Sequence, residues 1–149
     1  MANEVLKDVR GLLNAAPSLS YIHSAGGVRI LSELDNIDHQ IKTPFIILED
    51  TADQDVQHLS SRVIWRSINV KVRCIQRVFE KGEIIIGSSF NRGVDEISDD
   101  VKTVLDMDRM NGKYARAYWQ GTEQAGNIGD GNIHLIEKTL NFSYVRIET

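Results

Sequence analysis

The chain has 149 residues, with 17 basic and 21 acidic side chains and a formal charge of −4. That size fits one domain able to bury about two thirds of its unfolded surface, and that charge excludes a protein whose affinity comes from neutralising phosphates. The lone cysteine, Cys74, excludes an internal disulfide framework and a Cys-cluster zinc site, and points to a reducing compartment or a particle assembled in one. No apolar run approaches the roughly 20 residues of a membrane-crossing helix, the longest being Phe45-Ile46-Ile47-Leu48 and Ile84-Ile85-Ile86. Residues 1–7 lack the basic-then-apolar pattern of a signal peptide, so the chain is expected to stay inside its cell.

In chain order, Val5, Leu6, Val9, Leu12 and Leu13 recur at the spacing of one helix face. They predict an amphipathic helix over residues 3–15, with Asn3 as N-cap and Pro17 just past the end. Residues 28–34 predict a short strand, and Pro44-Phe45-Ile46-Ile47-Leu48 a second, with the proline at the start where its missing N–H costs least. Ile64, Ile68, Val70, Val72 and Cys74 alternate with Ser67, Asn69, Lys71 and Arg73, the period of a strand with one wet face. Glu80-Lys81-Gly82 then predicts a tight connection from Val78-Phe79 into Glu83-Ile84-Ile85-Ile86, a β-hairpin over residues 79–86.

Val94, Ile97, Val101, Val104 and Leu105 mark a second amphipathic helix, with Gly112 as the expected stop. Asp95, Glu96, Asp99 and Asp100 fill its early turns, where acids favour the positive end of the helix dipole. Residues 113–120 and 133–147 predict two closing strands, the latter alternating Leu140, Phe142 and Tyr144 against Thr139, Asn141 and Ser143. Between them, residues 121–132 are polar and glycine-rich and predict a long mobile loop or an arm ordered by a partner. The order of helix, two strands, long hairpin, helix and two strands leaves little room for crossovers. The expected fold is a single α+β domain over residues 1–149: a mostly antiparallel sheet with two amphipathic helices on one face and a long β-hairpin.

Residue types suited to catalysis are present but not in catalytic patterns. His23, His39, His58 and His134 are far apart and form no H-E-x-x-H pair, so surface or hydrogen-bonded histidines are the reading over metal ligands. Gly87-Ser88-Ser89-Phe90-Asn91 misses the last glycine of a nucleophile elbow and reads as a turn. Gly126-Asn127-Ile128-Gly129-Asp130-Gly131 fits neither a dinucleotide nor a phosphate loop, and puts Gly126 and Ile128 where a calcium loop needs oxygen ligands. The acidic pairs Glu49-Asp50, Asp99-Asp100 and Asp106/Asp108 read as solvated charge rather than acid–base machinery. No catalytic, cofactor-binding or metal-binding residue is expected, and the chain is read as a non-enzyme.

What remains is charge and aromatic surface. Lys71, Arg73 and Arg77 share one strand face; they are either ordinary solubilising charge or a stripe that meets the acidic helix of a neighbouring subunit. With Asp95, Glu96, Asp99 and Asp100 they are the subunit-interface candidates. Trp65 and Trp119 read as core anchors, with interface hot spots as the other reading.

The order of these elements resembles the tail terminator (tail completion) proteins of long-tailed bacteriophages. The features that carry it are the leading helix of Val5 and Leu13, the proline-led strand Pro44-Phe45-Ile46-Ile47-Leu48, the alternating strand Ile68-Asn69-Val70-Lys71-Val72-Arg73, and the helix of Val94 and Leu105. Closing strands ending in Phe142-Ser143-Tyr144-Val145-Arg146-Ile147 complete it. The resemblance implies a protomer of a homohexameric ring in the virion, assembled in the host cytoplasm. Such a ring caps the tail tube, stops its growth and joins tail to head. It implies partners in the tail tube protein and a head-closure or connector protein, with DNA passing through unheld, and no catalytic residues. The 79–86 hairpin and the 121–132 loop depart from the compact family plan. Another neck subunit, a monomeric adaptor, or a small ligand-binding or hydrolytic domain using Ser89, Asp130 and His134 are the competing expectations.

Overall fold

The computed structural model describes residues 2–33, 42–58, 62–77, 93–128 and 135–148. Helix α1 (Ala2–Ala15) buries Val5, Leu6, Val9 and Leu13 along one stripe. It starts before Asn3, which therefore lies inside the first turn and is not the cap. Ala16 is extended (φ −81°, ψ 115°) and Pro17 opens a 3-10 turn, Pro17–Leu19, because a proline disfavours helical backbone in the residue before it. A short helix, α2 (Ser20–His23), follows and has no counterpart among the expected elements. Strand β1 (Gly27–Ile30) begins at a left-handed glycine (φ +74°) and is shorter than the expected 28–34, since Leu31–Glu33 coils into another 3-10 turn.

The remaining elements are β2 (Phe45–His58), β3 (Ile64–Arg77), α3 (Val94–Leu105), β4 (Arg116–Thr122), β5 (Gly126–Asn127) and β6 (Leu135–Glu148). The fold is α+β around one mixed sheet of order β1-β2-β3-β6-β4, with β5 on β6. Its one parallel pair among the described strands is β1 with β2, and the other pairs are antiparallel, as a mostly antiparallel sheet requires. Residues 31–44 separate β1 from β2, enough for the dozen or so residues a crossover needs.

Strand β2 does not stop at Leu48. It continues through the polar residues 49–58, pairing Glu49 with Lys71 and Asp50 with Val70, and after a bulge Gln54 with Ile68 through His58 with Ile64. Backbone pairing on the β3 template holds a segment that its own acids would disfavour as a strand. Strands β2 and β3 are thus the long hairpin of the described structure; the expected one at 79–86 lies outside the described residues.

Alternation decides where the core sits. Ile46 and Leu48 of β2, Ile68, Val70, Val72 and Cys74 of β3, and Ile136, Leu140, Phe142 and Tyr144 of β6 are buried in one cluster with the apolar stripes of α1 and α3. They fall in register, as in the rows Leu48–Val72–Leu140 and Val70–Phe142. A smaller cluster of Phe45, Ile47, Ile75 and Leu135 has the opposite parity, so it lies on the other sheet face.

Three further boundaries differ from expectation. Helix α3 ends when Asp106 turns extended (ψ 130°); Gly112 (φ +84°) belongs to a separate turn in which Met110 and Asn111 also have positive φ. Strand β4 begins at Arg116, not residue 113, and the preceding turn carries Tyr114 into the core. The expected 121–132 loop is ordered over its described part. Gly121 and Thr122 belong to β4, and Gly126 and Asn127 pair with Glu137 and Ile136. Backbone bonds from Glu123 N–H to Thr139 and from Ile128 N–H to Leu135 hold the segment to β6.

Candidate functional site

The basic stripe lies on the sheet face away from the main core, and the fold supplies it with acids of its own. The Arg73 guanidinium is partly buried, donates to the Glu137 carboxylate at 2.8 Å and lies 4.0 Å from Glu49. Lys71 reaches Glu123 at 3.4 Å, and Arg77 closes the described end of β3. Cross-strand geometry explains this: Glu49 is opposite Lys71, and Glu137 is one place diagonal to Arg73.

On α3, Asp95 is bound to Lys138 of β6 and Asp100 accepts a 2.6 Å hydrogen bond from the Tyr21 hydroxyl. Glu96 and Asp99 are exposed. Asp95 and Asp100 thus dock the helix on its own protomer.

A polar cluster among the described residues went unrecognised in the sequence. It joins α1, the turn before β4 and the end of β6. The Tyr114 hydroxyl donates to Asp8 at 2.6 Å, Lys113 pairs with Asp8 at 2.7 Å and with Glu4 at 2.8 Å, and Arg146 reaches Glu4 at 3.2 Å. Bonds from Lys113 and then Arg146 hold the Glu4 carboxyl below its ordinary value, and the Lys113 ammonium is raised chiefly by Asp8. Burial, then the bond to Asp8, pushes the Tyr114 phenol up, so it stays a neutral donor. Its ring packs edge-on against Tyr144 at 5.3 Å. Without a nucleophile or an open floor, the cluster is a tie between elements. Its one sequence signal was the i, i+4 spacing of Glu4 and Asp8 on α1.

The edge of β4 is the second unforeseen feature. The Trp119 backbone N–H donates to Asp106 at 3.1 Å, its indole N–H to Thr122 at 3.0 Å, and Lys102 stands 3.7 Å above its ring. Trp119 is 36% exposed and Met107 74%. Trp65 is half-buried beneath Arg116, and neither tryptophan belongs to a buried core cluster, which corrects their reading as core anchors. Trp65 lies near the start of β3, and Trp119 in the middle of β4 beneath Lys102 of α3. A cavity of about 520 Å³ lined by Met107, Arg109, Ala115, Arg116, Ala117 and Tyr118 opens beside this edge.

His23 donates to the Leu13 carbonyl at 2.8 Å, a structural bond. Ser89, Asp130, His39 and His134 lie outside the described residues. Among the described residues no group of His, Cys, Asp and Glu is arranged to hold a metal, and no helix is long and apolar enough to cross a membrane. Cys74 is buried and its thiol is pushed up to about 12 by burial, so it is no nucleophile.

No protein-family model matches the chain, and a search of curated proteins returns no match either.

Proposed function

We propose that this protein is a structural virion component: a ring, most simply a hexamer, at the head-proximal end of a phage tail tube, where it stops tube growth and joins tail to head. The observation that carries this reading is the combination of a helix–strand–helix–strand order with a sheet whose one face shares a core with both amphipathic helices. Its strands then remain available at their edges for self-association. The residue pattern that resembles tail terminators spans nearly the whole chain, and the acid-rich exposed side of α3, with Glu96 and Asp99, suits a surface that DNA passes without being held. Its partners are then further copies of itself, the tail tube protein and a head-closure or connector protein.

Native mass measured at several concentrations, alone and with tail tube protein, tests this. A closed six-fold species that caps tubes is expected. A monomer that never engages tubes would overturn the reading, and a ring found at another level of the neck would assign the chain to a different neck subunit.

A further inference from the structure

We propose that a second copy of this chain docks edge to edge, the β4 edge of one protomer adding to the acid-rich outer half of β2 of the next, so that the sheet continues from subunit to subunit. Closure of such contacts into an annulus rests on the ring reading above; the contact itself does not depend on the tail assignment.

The pairings place the two edges at the same level of the sheet. Arg116, Val145, Ser67 and Asp55 form one row, and Trp119, Phe142, Val70 and Asp50 another. Strand β1 covers the outer side of β2 only as far as Leu48. Among the described residues, β2 beyond that point pairs on one side alone, and β4 pairs only with β6. The two segments differ in the charge their sequences carry. Residues 49–58 contain Glu49, Asp50, Asp53 and Asp55 and no lysine or arginine, and Asp50 is exposed. Beside β4, Arg109 and Arg116 are exposed, while the nearby acids Asp106 and Asp108 are occupied by the backbone N–H groups of Trp119 and Met110.

Direction favours the same arrangement. Three successive antiparallel pairings make β4 antiparallel to β2 within one protomer, so a neighbour rotated about an axis along the strands offers β2 to β4 in the antiparallel sense. Charged edges ordinarily keep sheets apart. Here the repulsion falls on β2 with β2 and on β4 with β4, leaving the unlike contact, which is heterologous and generates a ring or a filament. The Asp106 bond to Trp119 and the bulge between Trp119 and Gly121 confine pairing on β4 to Arg116, Ala117 and Tyr118. Charge therefore contributes much of the affinity, and the adjoining cavity at Met107 and Arg109 receives side chains of the incoming strand.

Sedimentation velocity on the full chain and on two charge-reversed variants tests the contact. R109E/R116E makes both edges acidic, and D50K/D53K/D55K makes both basic. Each variant alone is expected to self-associate about 100-fold more weakly than wild type, and an equal mixture to recover assembly by alternation. Wild type that is monomeric at every concentration, variants that assemble normally, or a mixture that fails to recover would each overturn the proposal. Should a variant not fold, a short bis-maleimide applied to mixed Arg116→Cys and Asp55→Cys chains gives the same answer. Linked dimers are expected from the mixture and not from Arg116→Cys alone; an unlinked mixture refutes the contact. Assembly lost instead in E96K/D99K would leave a ring built through α3 and remove the edge contact. Edge-dependent assembly that ignores tail tubes would keep the contact and remove the tail assignment.

Discussion

The two faces of the sheet are cut from the same three long strands and are built on different principles. Toward α1 and α3, the residues Val70, Val72, Leu140 and Phe142 are fully or almost fully buried among apolar neighbours. On the opposite face the described residues bury a smaller apolar corner of Phe45, Ile47, Ile75 and Leu135, and the centre carries the Arg73–Glu137 pair with the buried Thr139 and Ser143. Where helices exclude water, methyl groups give the stabilisation, at about 25 cal/mol per Å² buried. Where nothing among the described residues covers the strands, Arg73 and its neighbours Glu137 and Glu49 pair across the sheet surface.

The comparison is broken most severely at Phe142. Phe142→Ala should cost about 3–5 kcal/mol, lowering the melting temperature by about 10 °C or more. Ile75→Ala, in the smaller cluster, should cost about 2–3 kcal/mol by the same thermal measurement. If the two costs came out reversed, the helix-covered face would not be the main core. A double-mutant cycle of Arg73→Met and Glu137→Gln, read by urea unfolding, should give a coupling of about 1–2 kcal/mol; additivity would mean the pair is ornamental.

The smallest expected effect is a pH dependence at the α1 cluster. The Glu4 carboxyl is lowered in the fold, so its contribution is complete above its ordinary 4.5 and is lost as pH falls through the folded value. The Lys113 ammonium is raised, so its contribution is complete below 10.5 and is lost as pH rises through the folded value. In alkali Cys74 acts in the same direction, because the unfolded thiol ionises near 9 while the folded one holds its proton to about 12. The acid limb therefore isolates the cluster: Lys113→Met should flatten melting temperature against pH below 4.5, and an unchanged slope would show that Lys113 does not hold Glu4.

The sites differ in how far they could be read from residue order. The α3 acids were visible because a first helical turn attracts carboxylates, and Lys71 and Arg73 because alternation puts them on one face. What those charges touch was hidden. Trp119 misled because its size suggests the core, whereas it ends on an edge strand under Lys102. The hairpin half of β2 was invisible, since Asp50, Asp53 and Asp55 carry no strand propensity and are held by β3.

Residue order alone determined the local periods: the apolar stripes of α1 and α3, the alternation of β3 and β6, and the stop at Pro17. Those follow from contacts three or four residues apart, or from side chains alternating along one strand. Only the tertiary structure decided which strands are neighbours, that β1 joins β2 in parallel, and that Arg73 meets Glu137 and Tyr114 meets Asp8. Those partners lie 64 and 106 residues apart. Nothing in a local window favours one distant partner over another until closing the sheet brings them within reach.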